Sequence, residues 1–190
     1  MTTNHAEPTI ITYGSQYGSA EHYARKFAEY TGFSVLPYRE VKSTAGYDRI
    51  VHFGALYAGG VMGLKHLVPL LSAQTRLVVV TVGLADVQDA GNTDNIRRSV
   101  QRRLPEEVWA RTELYHLRGA IDYGKLNVTH RTMMALLYRK VKKTPEEERS
   151  AETRAMLETY GKRVSFISDA ALRQLTDTIL DSCDERKDTP

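Results

Sequence analysis

The chain has a single cysteine, Cys183, among 190 residues. That excludes an internal disulfide and a zinc site built on cysteines. It has no run of about 20 apolar residues, the length a membrane-crossing helix needs. Its densest apolar run, Leu77–Val82, is only a strand long. The opening segment, Met1–Pro8, lacks the apolar core of a secretory signal. These absences point to a reducing, cytoplasmic setting. The six histidines fall into no HxxxH or HxH spacing, so no metal is expected. Charge of one sign is not in large excess: 26 Lys and Arg stand against 23 Asp and Glu. Such a surplus carries no argument for nucleic acid. The hydrophobic and charged fractions, 42% and 26%, exclude wholesale disorder. A chain this long is about one domain and buries roughly 70% of its unfolded surface. Residues 1–190 are therefore read as a single domain.

What is present is an alternation of strands and helices, with no internal repeat. Thr9–Tyr13 is β-branched and follows Pro8, and reads as a first strand. Ala20, Tyr23, Ala24, Phe27 and Ala28 repeat at helical spacing, and Gly32 can end that helix. Phe33–Tyr38 and Asp48–Phe53 read as strands two and three, and Leu64, Leu67, Val68 and Leu71 as a second helix. Arg76–Val82 is nearly unbroken apolar, the mark of a strand buried on both faces of a parallel sheet. Thr93–Leu104 reads as a helix capped by Asn92 or Thr93, and Thr112–Leu117 as a fifth strand. The alternation predicts a three-layer α/β fold with right-handed crossovers. Thr144-Pro-Glu-Glu-Glu reads as a helix start, predicting a long helix from about Pro145 to Ile167. Asp169 caps one more helix, with Leu172, Leu175, Ile179 and Leu180 as its stripe, and Asp184–Pro190 reads as a frayed tail.

The first strand-to-helix turn, Tyr13-Gly-Ser-Gln-Tyr-Gly-Ser-Ala20, carries the chemistry. Hydroxyls and small residues crowd into a helix N-terminus, where backbone N–H groups and the helix dipole favour a phosphate. No Lys or Arg occurs from Thr9 to Ala24, so the phosphate would rest on neutral donors. The turn lacks the G-K-[ST] of a nucleotide P-loop and the G-x-G-x-x-G of a dinucleotide site. In a doubly wound sheet the ligand sits beyond the carboxyl ends of the strands. Two more small-residue loops are expected there, Ala55-Leu-Tyr-Ala-Gly59 and Gly83-Leu-Ala-Asp86. One phosphate cradle and two such loops suit a planar ring tethered to a phosphate. Tyr57 is the candidate for stacking on the ring and Asp86 for bonding its polar edge, against the plainer readings of a surface aromatic and a turn residue.

On these residues the chain resembles the flavodoxin-like family, which binds flavin mononucleotide (FMN). Ser15-Gln16-Tyr17-Gly18-Ser19 is similar to that family's phosphate loop, [ST]-x-[TY]-G-x-[ST]. The resemblance implies a five-stranded parallel sheet of order 2-1-3-4-5 and non-covalent FMN. It implies cofactor contacts from Ser15, Gln16, Tyr17, Gly18, Ser19 and Ala20, from Ala55, Leu56, Tyr57, Ala58 and Gly59, and from Gly83, Leu84, Ala85 and Asp86. Leu117–Leu126 followed by His130–Met134 resembles an insertion in menaquinone-dependent protoporphyrinogen dehydrogenases and their flavodoxin-domain relatives. The resemblance covers residues 8–168, with the insertion at 119–144 and an extra C-terminal helix at 169–183. It implies an FMN-dependent oxidoreductase, with a small electron-transfer protein and a flavin-free binding protein as the alternatives. The chain departs from the dehydrogenase pattern in that Glu148–Met156 holds no Trp.

The insertion is basic. From Arg118 to Lys143 run Arg118, Lys125, Arg131, Arg139, Lys140, Lys142 and Lys143 against Asp122 alone. Met133, Met134, Leu137, Tyr138 and Val141 form a helical stripe beside them. Such a helix suits an interface with an anionic membrane, or a carboxylate-bearing apolar substrate. The plain alternative is a stripe packed on the domain with solvated charges. Arg118, Tyr123, Lys125, Arg139 and Lys140 are the candidate contacts to a quinone- or porphyrin-type substrate or a redox partner. Contact with the inner face of a membrane is expected to be peripheral.

Overall fold

The computed structural model describes residues 7–57 and 59–184, the side chains of 183 and 184 excepted. Residues 1–6, Ala58, the Cys183 side chain and the tail from 185 onward lie outside the described residues. Six strands form the main sheet: β1 (Thr9–Gly14), β2 (Ser34–Pro37), β3 (Arg49–Tyr57), β4 (Gly60–Val61), β5 (Arg76–Gly83) and β6 (Thr112–Arg118). The parallel order is β2-β1-β3-β5-β6, with β4 turned back antiparallel on the end of β3. Without that two-residue hairpin, the arrangement is the expected five-stranded order.

Alternation along the strands sends neighbouring side chains to opposite faces, and both faces are covered. On one, Ile11, Val51, Phe53, Val78, Val80 and Val82 pack with Tyr23 and Phe27 of α1 (Ser19–Thr31). On the other, Ile10, Ile50, Leu77 and Val79 pack with Leu64 of α2 (Leu64–Leu67) and Val100 of α3 (Ala90–Gln101). The helix α3 starts earlier than expected, because Asp89 rather than Asn92 or Thr93 is its cap: the Asp89 carboxylate accepts from the Asn92 N–H. A short α4 (Glu106–Trp109) leads into β6.

The C-terminal third differs most from the expectation. After β6 come β7 (Ala120–Asp122), α5 (Val128–Val141), α6 (Ala151–Thr159), β8 (Arg163–Ser165) and α7 (Asp169–Asp184). The single long helix from Pro145 to Ile167 is not formed. Glu146–Glu148 makes one 3-10 turn, and the helix proper is capped at Ser150, whose hydroxyl accepts from the Thr153 N–H. It ends at Thr159, and just beyond it Gly161 turns the chain at φ +74°, a left-handed conformation open to glycine at little cost. The chain then returns as β8, which pairs antiparallel with β7 (Ala120↔Ser165). The helix expected as an extra, α7, is part of the main core: Leu172, Leu175 and Ile179 pack in the cluster of Tyr23 and Phe27. No helix among the described residues is long and apolar enough to cross a membrane.

Candidate cofactor site

A cavity of about 570 Å3 opens beyond the carboxyl ends of β1, β3 and β5, within the size range of small-molecule sites. Its floor joins the three expected loops: Ser15, Gln16, Tyr17, Ser19 and Ala20, then Ala55, Leu56, Tyr57 and Gly59, then Gly83, Leu84 and Ala85. The apolar stripe of α5 (Met133, Met134, Leu137, Val141) forms one wall, α3 and α6 add Asn95, Ser99, Thr153 and Met156, and Arg103 joins them from just beyond α3. The insertion therefore turns its stripe onto the site.

The turn between β1 and α1 has the features of an anion cradle. Gly18, at φ +89°, is the N-cap of α1 and no side chain caps the helix. The first amides of a helix have no intrahelical partner. The Ser15 hydroxyl is buried and has no hydrogen-bond partner. An orphan hydroxyl beside an uncapped helix start fits a phosphate. Two details depart from the sequence reading. Gly18 does not line the cavity, and its φ of +89° already calls for glycine. The Ser19 hydroxyl is taken, since it accepts from the Ala120 N–H at 2.9 Å and ties the turn to β7.

Tyr57 is pinned. Its hydroxyl lies 3.2 Å from Nε2 of His130, whose ring also meets Tyr17 edge-on at 5.9 Å. His130 thus links the phosphate turn, the loop after β3 and the insertion, a role its place in the quoted motif did not announce. Burial, with Tyr57 nearby, raises the Tyr17 pKa above the usual tyrosine value. Arg103, also missed, donates to the Gly59 carbonyl at 2.5 Å and so braces the second loop. Charge within one helix face gave no signal of that reach across the fold.

Several expected contacts fall elsewhere. Asp86 is a turn residue: its carboxylate accepts from the Gln88 N–H and its carbonyl from Asn92 Nδ2. Arg118 does not line the cavity; its guanidinium donates twice to the Leu84 carbonyl and lies 3.7 Å above the Phe166 ring. It braces the third loop from behind. Lys125, Arg139 and Lys140 are exposed and off the cavity wall, whereas Tyr123 is buried and lines it. Beneath the site, His52 is fully buried between Thr12 and the Met62 carbonyl. Donation to that carbonyl requires the proton on Nε2, leaving Nδ1 to accept from Thr12. Desolvation lowers its pKa from 6.5 to about 4. Among the described residues no three His, Cys, Asp or Glu side chains gather to hold a metal ion.

Solved structures with a similar arrangement include a flavoprotein in complex with FMN from Lactobacillus acidophilus, 14% identical, covering 60% of this chain and 93% of that one at a TM-score of 0.37. A cysteine variant of flavodoxin from Pseudomonas aeruginosa is 21% identical, covering 70% of this chain and 95% of that one at a TM-score of 0.38. No curated protein matches the chain. Residues 10–148 match the family model described as a flavodoxin domain, and the chain belongs to that family.

Proposed function

We propose that the protein binds FMN non-covalently and works as an FMN-dependent oxidoreductase. The observation that carries this reading is the unpartnered Ser15 hydroxyl beside the uncapped start of α1, opening into a cavity of about 570 Å3. Bound there, FMN supplies the electron- and hydride-accepting ring, while the protein sets orientation and polarity. The turn at Ser15–Ala20 holds the phosphate, Tyr57 offers an aromatic face, and Met133, Met134 and Leu137 exclude water from the opposite side.

An enzyme is favoured over a simple electron shuttle because the insertion walls the site and makes a compartment beside the ring loops. The finer reading is a dehydrogenase of the protoporphyrinogen type, with a quinone or redox protein as electron acceptor. It rests on the resemblance of Leu117–Met134 and on this apolar compartment. The basic outer side of α5 suits peripheral contact with an anionic membrane on the cytoplasmic side.

The visible spectrum of the purified protein, followed by fluorescence titration with FMN, tests cofactor binding. Saturable binding of one FMN per chain is expected, and its absence rejects the reading. Oxidation of protoporphyrinogen by the loaded protein, with a quinone as acceptor, tests the finer reading. An FMN-loaded protein inactive in that assay would leave the cofactor assignment standing and remove the substrate.

A further inference from the structure

Among the described residues only three buried side-chain polar atoms have no hydrogen-bond partner: Ser15 Oγ, Tyr123 Oη and Arg111 Nε. Two of the three, Ser15 and Tyr123, line the same cavity. A buried hydroxyl without a partner bears its full desolvation cost, so such groups mark places where a ligand completes the bonding. Ser15 belongs to the phosphate turn. Tyr123 belongs to the insertion, three residues after Ala120, whose N–H donates to Ser19 and fixes β7 against that turn.

We propose that the insertion supplies its own phosphate ligand: the Tyr123 hydroxyl donates to the FMN phosphate seated on Ser15–Ala20. The inference rests on the FMN reading above and adds a cofactor contact from outside the β1–α1 turn. Four observations support it. The turn has no Lys or Arg from Thr9 to Ala24, so a phosphate dianion there needs neutral donors. Tyr123 is 7% exposed, and its ring is fixed by an edge-on contact to Tyr160 with centroids 5.2 Å apart. The neighbouring Thr159 hydroxyl is turned to the Ala155 carbonyl, to which it donates at 2.7 Å. Burial raises the Tyr123 pKa and Tyr160 and Tyr17 add to the rise, while the adjacent Thr159 hydroxyl, which approaches the phenol without completing a hydrogen bond of good geometry, opposes it. The phenol therefore stays protonated at neutral pH and remains a donor. The Ala120–Ser19 tie and the shared cavity wall set Tyr123 and the phosphate turn on one side of the site.

The test compares FMN with riboflavin, which lacks the phosphate, in fluorescence titrations of the wild type and Tyr123→Phe. Phenylalanine keeps the ring and its packing. We expect Tyr123→Phe to weaken FMN about tenfold or more, as loss of a hydrogen bond to a charged group does, and to leave riboflavin unchanged. Unchanged FMN affinity overturns the proposal. Equal weakening of both ligands also overturns it, by moving the phenol to the ring or the ribityl chain. Phosphorus NMR of bound FMN gives a readout independent of affinity, since loss of the donor should shift the phosphate resonance. A wild type that binds riboflavin and FMN equally removes the phosphate site itself. A wild type that binds neither removes the FMN reading before Tyr123 is reached.

Discussion

A single hydroxyl separates a phosphate cradle from an ordinary helix start after β1. Ser15 Oγ is buried and unpartnered, so in the ligand-free protein it is a liability. Ser15→Ala should weaken FMN about tenfold or more, from loss of roughly 1.5–3 kcal/mol with a charged acceptor. The same substitution should leave the ligand-free protein as stable as before, or more so, because a buried unsatisfied group is removed. Fluorescence titration and denaturant unfolding read the two effects separately; a loss of both affinity and stability would mean that Ser15 is structural. A second residue sets the acid limit of the fold. His52 is neutral in the folded state, with its pKa lowered from 6.5 to about 4. A depressed folded pKa contributes stability that is present in full above the unfolded value. That stability is lost as pH falls from 6.5 toward about 4, roughly 3 kcal/mol in all at about 1.4 kcal/mol per pH unit. Urea unfolding across this window should show the fall in wild type and a shallower one in His52→Gln. Equal slopes would assign the acid sensitivity to other groups.

Among the elements, α5 carries the difference between this chain and a plain open sheet. Its inner stripe walls the cavity, and among the described residues its polar tie to the ring loops is His130 on Tyr57 at 3.2 Å. His130→Ala removes that tie and the edge contacts to Tyr17 and Tyr57. Release of FMN should quicken about two- to thirteenfold, the range set by a net hydrogen bond of about 0.5–1.5 kcal/mol. Stopped-flow dissociation measures it, and an unchanged rate would show that α5 does not restrain the cofactor. The same part of the chain explains what the sequence could and could not tell. The strands β1, β3 and β5 were legible because they are β-branched and buried on both faces, which leaves one reading of their pattern. The Ser15–Ala20 turn was legible because hydroxyls, glycines and missing cations coincide there. The stretch between α5 and α7 was not. Two start signals, Thr144 and Ser150, compete within six residues, and the pairing of β7 with β8, strands more than 40 residues apart, settles the outcome. Local capping preferences, about 1 kcal/mol each, are overruled by such pairing. The contacts of His130 and Arg103 depend on how α5 and α3 fold back, so no local pattern announced them.

At the scale of the whole molecule the remaining question is what meets the outer side of the insertion. The stripe expected to face a membrane lines the cavity, with Met133 and Leu137 still 40% and 42% exposed, and Val128 and Leu136, 80% and 62% exposed, are the most open large apolar groups among the described residues. Leu136 lies one helical turn from Arg139 and Lys140, and Arg139, Lys140, Lys142 and Lys143 are all exposed. Only Val128 and Leu136 are mostly open, and they insert little area, so attachment to an anionic bilayer would rest on charge, at about 1 kcal/mol for each Lys or Arg near the surface. Four such residues contribute about 4 kcal/mol, or roughly a thousandfold in partition. Replacing all four with Gln should therefore abolish sedimentation with vesicles containing anionic lipid while FMN content stays the same. Salt should act like the substitution, since exposed charges are screened within about 8 Å at physiological ionic strength. Leu136→Ser should reduce binding only slightly; a large loss would mean the helix inserts rather than rests on the surface. If the wild type ignores anionic vesicles at low salt, the basic face does not serve a membrane. An acidic redox protein would then be the partner its charge fits, and the same four substitutions should slow electron transfer from it in a salt-dependent way.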